Sequence, residues 1–145
     1  MLGAAGLKEV SECAVLNANY VRALLQDTYG LTHRDSCMHE VVLDGTPFKE
    51  QGIRTLDVAK RMLDFGVHAP TVYFPLVVHA ALMIEPTETE SKETLDEFIA
   101  AMRQIDEESK ASPGAFMDYP RKTFRRWLDD VAAARTRFLR WKPEK

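Results

Sequence analysis

The feature that most constrains the fold of this sequence is an apolar stripe that follows Ser91 and repeats every three or four residues. Residues at this spacing lie on one face of an α-helix, and a helix with one apolar face is stable when that face packs against other elements. The stripe consists of Leu95, Phe98, Ile99, Met102 and Ile105. The pattern therefore predicts an amphipathic helix that ends before Ser112-Pro113-Gly114, where proline and glycine break the chain.

Two earlier segments also carry helical periodicity. The first covers residues 7–27 and ends at Tyr29-Gly30, because glycine readily adopts the left-handed conformation that closes helices. The second covers residues 56–65, with Thr55 as its candidate N-cap and Gly66 after its end. The first helix precedes every predicted strand, so it need not belong to the core of the sheet, as expected where a small domain is hinged to a larger one.

Three segments predict β-strands. Residues 37–43 alternate between two faces and stop at a turn, Asp44-Gly45-Thr46-Pro47. Residues 71–74 and 77–85 are apolar and rich in β-branched or aromatic side chains, and Pro75 separates them. Together with the helices, this order predicts an α+β fold in which a small, mainly antiparallel sheet is covered on one face by helices.

Length and composition limit the function classes. With 145 residues, 46% of them hydrophobic and 28% charged, the chain is expected to be a single soluble domain, and its net charge of -3 argues against general nucleic-acid binding. Cys13 and Cys37 are too few for a disulfide framework, and no Cys/His cluster offers zinc ligands. The first residues lack a signal-peptide pattern, and no apolar run approaches the roughly 20 residues that span a bilayer. We therefore expect a reducing compartment, the cytoplasm, with no membrane span and no metal.

The last part of the chain is basic and apolar at once, which leaves two interpretations open. Its cationic residues are Arg121, Lys122, Arg125, Arg126, Arg135, Arg137 and Arg140, and its apolar residues include Phe124, Trp127, Leu128 and Val131. A basic amphipathic helix can bind a membrane or an acidic partner. Packing of the aromatic residues on the domain, with the arginines in water, is the commoner arrangement. The acidic segment 85–108 could also contact this tail.

The stretch MIEPTETES, residues 83–91, runs from apolar residues into a carboxylate and a proline, and then alternates hydroxyls with acids. Its simplest interpretation is that Glu85 ends a strand, and that Thr87 with Glu90, or Ser91 alone, caps the following helix. The free N–H groups of a helix start could also meet an anionic ligand, but Glu88 and Glu90 would oppose its charge. We therefore expect this stretch to form a wall of a cleft rather than a direct carboxylate site.

Three other side chains are candidates with open roles. His39 lies in a predicted strand and His68 lies shortly before one, and a lone histidine in such a place is more often a packed, hydrogen-bonded residue than a catalyst. Arg54 could bind a carboxylate through its guanidinium, or it could be solvated as the residue before the Thr55 cap.

Several long segments of the sequence resemble a known family. They are GLKEVSECAVLNANY, CMHEVVL, RTLDVAKRMLDFGVHAPTVYFP, ALMIEPTETESKETLDEFIAAM and AAARTRFLRW. In this order and spacing they closely resemble the C-terminal region of the glycine decarboxylase P protein, in particular its second subunit in two-subunit forms. The resemblance covers nearly the whole chain.

The resemblance implies the small domain of a pyridoxal-phosphate enzyme of fold type I, the aspartate-aminotransferase fold. Such an enzyme decarboxylates glycine and passes the aminomethyl group to the lipoyl arm of the H protein. The implied partners are the lipoylated H protein and the N-terminal half, or subunit 1, of the P protein, with a mitochondrial location if the source is eukaryotic. The chain would comprise a leading interdomain helix (1–30), a sheet-and-helix core (31–110) and a basic tail (111–145).

In the resembling family the cofactor lysine lies in a His-Lys-Thr segment before a glycine-rich run, upstream of the region matched here, and no lysine of this chain has that context. Without a Schiff-base lysine there is no electron sink for decarboxylation, so we expect the isolated chain to be inactive and name no catalytic residue. The candidates for lining the active-site cleft are His39, His68, Thr71, Glu85, Thr87 and Glu88. The alternative function is a free-standing protein-interaction module that uses its acidic helix or its basic tail.

Overall fold

The structure is a computed structural model that describes residues 2–33, 35–136 and 140–141. The elements follow in the order α1 (Gly3–Leu25), β1 (Val41–Leu43), α2 (Thr46–Glu50), α3 (Thr55–Asp64), β2 (Thr71–Val72), β3 (Leu82–Ile84), α4 (Lys92–Ala111), a 3-10 helix (Pro113–Asp118) and α5 (Asp130–Arg135). Residues 137–139 and 142–145 of the predicted tail, including Arg137, lie outside the described residues. The predicted division of the chain into three parts stays a prediction.

The three strands form one antiparallel sheet with β3 in the centre, in the order β1-β3-β2. Val41 pairs with Ile84, and Leu43 pairs with Leu82; all four side chains are buried. Because side chains alternate across a strand, this register turns one face of the sheet towards the helices. The predicted α+β fold with a small antiparallel sheet is confirmed.

The predicted stripe on α4 forms much of the core. Its buried members are Leu95, Ile99, Met102 and Ile105, whereas Phe98 is only partly buried at the edge of the same cluster. The second half of α1 packs against α4 and β1, and its residues Ala18, Val21 and Leu25 are fully buried. One continuous core thus joins the leading helix, the sheet and α4.

The strands are shorter than the alternation predicts. β1 begins at Val41 rather than at residue 37, and β3 begins at Leu82 rather than at residue 77. The backbone between β2 and β3 explains part of the difference, because Tyr73 and Ala80 have φ angles of 60° and 51°. Positive φ is incompatible with an extended strand, so the β-branched residues between them lie in a loop.

The start of α3 also differs from the prediction, since Arg54, not Thr55, occupies the N-cap position. The Asp57 carboxylate accepts a hydrogen bond from the Arg54 backbone N–H at 2.9 Å, and the Thr55 hydroxyl instead donates to the carbonyl oxygen of Ala80 at 3.0 Å. Asp57 therefore accepts a hydrogen bond from a backbone N–H group at the start of α3, and the Thr55 hydroxyl connects α3 to the loop before β3.

Helix α2 lies where the sequence predicts only a turn. Pro47 lies in its first turn, where proline is tolerated, and Phe48 is buried with its ring centroid 5.4 Å from that of Tyr29. Burial of the Phe48 ring against Tyr29, in the turn that follows α1, thus stabilises a single helical turn that local propensity alone does not predict.

The interpretation of the tail as a helix that packs its aromatic residues on the domain is wrong for most of the described residues after Pro120. Beyond the 3-10 helix, the described part of the tail contains only the short helix α5, in which no residue is buried, and Phe124 and Leu128 are 96% and 66% exposed. At the start of the tail, by contrast, Phe116 and Tyr119 are buried in the core, and further along the chain the centre of the Trp127 ring lies 5.5 Å from the Lys60 ammonium. Within the described ranges, no helix is long and apolar enough to cross a membrane.

Candidate functional site

A groove of about 870 Å³ opens between α4, the chain that follows α3, and the end of β3. Phe65, Val67 and Phe98 contribute apolar surface to it, and Met83 and Leu95 line it between the sheet and α4. An apolar surface with a few polar groups at its edge is typical of ligand sites and of domain contacts in enzymes.

Four of the six predicted cleft residues line this groove: His68, Thr71, Glu85 and Thr87. The other two, His39 and Glu88, are not among its lining residues. His39 lies beside the groove, where its Nε2 atom is 3.7 Å from the Glu85 Oε1 atom and both side chains are about half exposed. Glu88 is exposed in the turn between β3 and α4.

The stretch MIEPTETES forms one wall of the groove as a strand end, a turn and a helix start. Pro86 is buried directly after β3, and the turn is closed by a hydrogen bond from the Glu90 backbone N–H to the Thr87 carbonyl oxygen at 3.3 Å. The Ser91 hydroxyl then accepts a hydrogen bond from the Thr94 backbone N–H at 3.2 Å. Of the two capping interpretations, the one with Ser91 alone is therefore confirmed.

The opposite wall comes from the end of α3. Gly66 has a φ of 78°, a left-handed conformation that glycine adopts without strain, and it redirects the chain after the helix. The next residues, including His68 and Pro70, then run past α4 towards Thr71, the first residue of β2. The segment is therefore held at both ends, by α3 and by the sheet, while the His68 side chain is exposed to the groove opening.

The ionisable lining of the groove is acidic. It contains Glu85, Glu90 and Glu97 together with His68, and none of the described residues that line it is a lysine or an arginine. The groove thus favours cationic or neutral groups over anions.

Sequence reasoning missed Asn17, which links α1 to the groove wall. Its Nδ2 atom donates to the carbonyl oxygens of Thr87 and Glu90 at 2.8 and 3.3 Å. The available signal was the pair of asparagines in LNANY, because asparagine is a poor helix former in a helix interior unless its side chain has another partner.

Arg54 does bind a carboxylate, but one of its own chain, and its side chain stays more than half exposed. Its Nε and Nη2 atoms donate to the two carboxylate oxygens of Asp57 at 3.0 and 2.7 Å, and its guanidinium carbon lies 5.4 Å from the centre of the Trp127 ring. The fork is thus occupied by a carboxylate of the same chain, away from the groove.

The residues that line the groove are not sufficient on their own to bind pyridoxal phosphate. The phosphate needs cationic or N–H donors and the aldehyde needs a lysine amine, whereas the ionisable lining here is acidic apart from His68. The nearest lysine in sequence to the groove wall, Lys92, instead donates to Asp96 at 2.6 Å. Likewise, the described residues contain no group of three or more side chains suited to a metal ion.

These features define a class of protein: a small α+β domain with an acidic, partly apolar groove at one end of an antiparallel sheet and no complete cofactor pocket among its described residues. A family model, glycine dehydrogenase, C-terminal domain, matches residues 10–125. The chain belongs to this family. The resemblance read from the sequence is therefore confirmed, whereas the implied fold type I of pyridoxal-phosphate enzymes is not directly shown.

Curated relatives agree with the family. The chain is 57% identical over 140 residues to the probable glycine dehydrogenase (decarboxylating) subunit 2 of Staphylococcus haemolyticus, a match that covers 97% of this chain and 28% of the relative. The proteins of the same name from Fervidobacterium nodosum and Pyrococcus abyssi are 56% and 54% identical, with 97% and 98% of this chain and 30% and 29% of the relatives covered. The chain thus spans less than a third of the length of these relatives.

Proposed function

We propose that this chain is the C-terminal domain of the second subunit of a glycine cleavage P protein. In the complete protein, glycine would be decarboxylated and its aminomethyl group passed to the lipoyl arm of the H protein, with pyridoxal phosphate held by the portion outside this chain. The single observation that carries the proposal is the groove, because it joins His68, Thr71, Glu85 and Thr87 from two distant segments in a chain of this family.

The role of this chain at the site would be to close one side of the cleft. The apolar surface around Phe98 and Val67 would exclude water, and His68 offers an imidazole at the edge of the groove. The acidic groups would disfavour a second anion beside the substrate carboxylate, so that carboxylate must be bound by residues outside this chain. His39 and Glu88 are kept as candidates at the margin of the cleft.

The experiment that tests this function uses the complete second subunit, in which this chain forms the C-terminal part, together with subunit 1 and lipoylated H protein. We expect glycine-dependent exchange of bicarbonate by the complete set of proteins. We expect none when the second subunit ends before the region of this chain. Exchange by the shortened subunit at the rate of the complete subunit would overturn the proposal.

The proposed partners are subunit 1 and the lipoylated H protein, and the proposed location is the cytoplasm. The relatives are each named as subunit 2 of a glycine dehydrogenase, which supports a second polypeptide in the working enzyme. If the shortened subunit lost exchange because it failed to assemble, size-exclusion chromatography with subunit 1 would separate that loss from a loss of chemistry.

A second candidate function is a protein-interaction module, which the tail favours. Phe124 and Leu128 are exposed beside Lys122, Arg125 and Arg126, an arrangement of apolar and cationic groups suited to an acidic protein surface. The test is sedimentation of this chain with subunit 1, comparing wild type with a Phe124→Ser, Leu128→Ser double variant. Equal association of both proteins would exclude the tail as the contact.

A further inference from the structure

Asn17 lies in the middle of α1, yet its side chain hydrogen-bonds to residues that follow it by 70 and 73 positions in the sequence. Its Nδ2 atom donates to the carbonyl oxygen of Thr87 at 2.8 Å and to that of Glu90 at 3.3 Å. These two carbonyls delimit the turn between β3 and α4, and both residues line the groove. One side chain thus joins the leading helix to the groove wall.

The contact is not explained by the stability of α1. Asparagine is disfavoured inside helices because its amide competes for backbone hydrogen bonds, and the hydrogen bonds described for the Asn17 side chain go to the turn, not to the backbone of its own helix. One turn later on the same side, Val21 lines the groove directly. The face of α1 that carries Asn17 and Val21 is therefore part of the groove's construction.

A second asparagine two residues later provides an internal comparison. Asn19 donates to the carbonyl oxygen of Cys37 at 2.7 Å and accepts from the backbone N–H of Cys37 at 3.0 Å. Residues two apart face different sides of a helix, so Asn19 fastens α1 to the segment before β1 instead of to the groove. The two asparagines are thus similar in chemistry and in helix position but differ in what they hold.

We propose that Asn17 is a positioning residue that fixes the 87–90 turn to α1, so that this wall of the groove moves together with the leading helix. The proposal rests on the proposed function, because the wall matters for catalysis only if the groove belongs to the active-site cleft. Displacement of α1 relative to the rest of a larger enzyme would then move this wall through the two hydrogen bonds of Asn17.

The first test is hydrogen exchange followed by mass spectrometry on this chain. Asn17→Ala removes both bonds, and Asn17→Asp keeps the side-chain shape but replaces the donor with an acceptor that faces two carbonyl oxygens. Because local opening governs exchange, we expect both variants to exchange the amides of residues 85–91 at least about fivefold faster, with those of residues 99–108 changed less than about twofold. Unchanged exchange at residues 85–91 in either variant would overturn the tether.

The second test is glycine exchange by the complete second subunit with subunit 1 and H protein. We expect kcat/KM for glycine to fall at least about fivefold in both Asn17 variants, which corresponds to a partial loss of positioning. The control is Asn19→Ala, which also removes an asparagine with tertiary bonds from α1, and we expect it to lower the thermal midpoint while kcat/KM stays within about twofold.

The outcomes separate the two proposals. Faster hydrogen exchange with unchanged kcat/KM would establish the tether and overturn its role in positioning the active-site wall. Equal losses of kcat/KM in Asn17→Asp and Asn19→Ala would also overturn that role, because they would reflect general destabilisation. If the wild-type complex does not exchange glycine at all, the proposed function fails, and the hydrogen-exchange result alone decides whether Asn17 holds the turn.

Discussion

Arg61 on α3 and Glu108 on α4 form two parallel hydrogen bonds, Nε to Oε2 and Nη2 to Oε1, each 2.8 Å long. The same guanidinium lies 3.4 Å from Asp64 Oδ2, and its carbon is 4.3 Å from the ring centres of both Phe65 and Tyr119. One arginine therefore connects two helices and the first part of the tail. Two-point carboxylate recognition of this kind requires the planar guanidinium fork.

The first prediction concerns this connection. Arg61→Met should lower the free energy of unfolding by about 2 to 3 kcal/mol, because it leaves the buried Asp64 carboxylate and the partly buried Glu108 carboxylate without their cation. Urea titration at neutral pH measures the loss. As a control, Lys8→Met removes the ion pair with Glu12, in which both side chains are largely exposed, and should cost less than about 0.5 kcal/mol. Equal losses in the two variants would contradict the prediction.

The second prediction concerns acid stability. Burial alone would raise the pKa of Asp64, but hydrogen bonds from the backbone N–H groups of Lys122 and Arg121 and the charge of Arg61 outweigh it and lower that pKa. The bonds from Arg61 likewise lower the pKa of Glu108. A carboxyl group with a lowered folded-state pKa stabilises the fold above its unfolded pKa, and this stabilisation is lost as the pH falls through the folded value.

We therefore expect the free energy of unfolding to decrease as the pH falls from about 5, the region just above ordinary carboxyl pKa values. Asp64→Asn should be less stable than wild type at pH 7 and should lose less stability on acidification. Denaturant titrations at several pH values give both quantities. Parallel pH profiles for the two proteins would show that Asp64 does not contribute to the acid response.

The third prediction compares two phenylalanines. The stripe on α4 alone predicts that Phe98→Ala costs about 3 to 5 kcal/mol, the usual range for a buried phenylalanine. In the structure Phe98 is only partly buried and lines the groove, whereas Phe116 is 1% exposed. Phe116→Ala should therefore show the full loss, and Phe98→Ala about half of it. A loss for Phe98→Ala as large as for Phe116→Ala would place the groove surface in the core.

Helical periodicity predicted α1, α3 and α4 because each has an apolar face long enough to define its period. The strands were harder to bound, since the β-branched residues near Val77 favour extension locally while the backbone at Tyr73 and Ala80 leaves the strand region. The tail was misread because exposed residues such as Phe124 have the same apolar pattern as buried ones. What covers an apolar residue is a tertiary property and cannot be read from its spacing.

For the groove, the sequence predicted four residues that the structure brings together, but their link to α1 was not visible in it. His68 and Thr87 are separated by 19 positions, and their proximity depends on how β2 and β3 pair. Asn17 is farther still, 70 positions from Thr87. A hydrogen bond over such a separation leaves only an indirect trace in a single sequence, here an asparagine where a helix interior disfavours it.

The fourth prediction concerns the candidate cleft residues in the complete enzyme. His68→Ala should reduce glycine exchange at least about tenfold with a small change in thermal midpoint, because the side chain faces the groove opening and an imidazole that assists proton transfer contributes substantially to rate. Glu88→Gln should have a smaller effect, since Glu88 is exposed outside the groove lining. Bicarbonate exchange and thermal melts of both variants test this, with the exposed Glu50→Gln on α2 as control.

Wild-type exchange in His68→Ala would remove His68 from the site. A larger loss in Glu88→Gln than in His68→Ala would show that the outer side of the 87–90 turn, rather than the groove, faces the substrate.

The last prediction is that this chain alone forms no internal aldimine with pyridoxal phosphate and releases no carbon dioxide from glycine. An aldimine lysine must be deprotonated and held beside groups that bind the phosphate. None of the described lysines lines the groove, and three of them have other partners: Lys8 pairs with Glu12, Lys60 lies over the Trp127 ring, and hydrogen bonding to Asp96 raises the pKa of Lys92. Absorbance near the aldimine band, followed by borohydride reduction and peptide mapping, measures adduct formation.

We expect at most slow, substoichiometric labelling spread over several exposed lysines, with free lysine as the control for nonspecific reaction. A stoichiometric adduct on one lysine would overturn the prediction and place a cofactor site within this chain, and the active-site lysine would then no longer have to come from the rest of the enzyme.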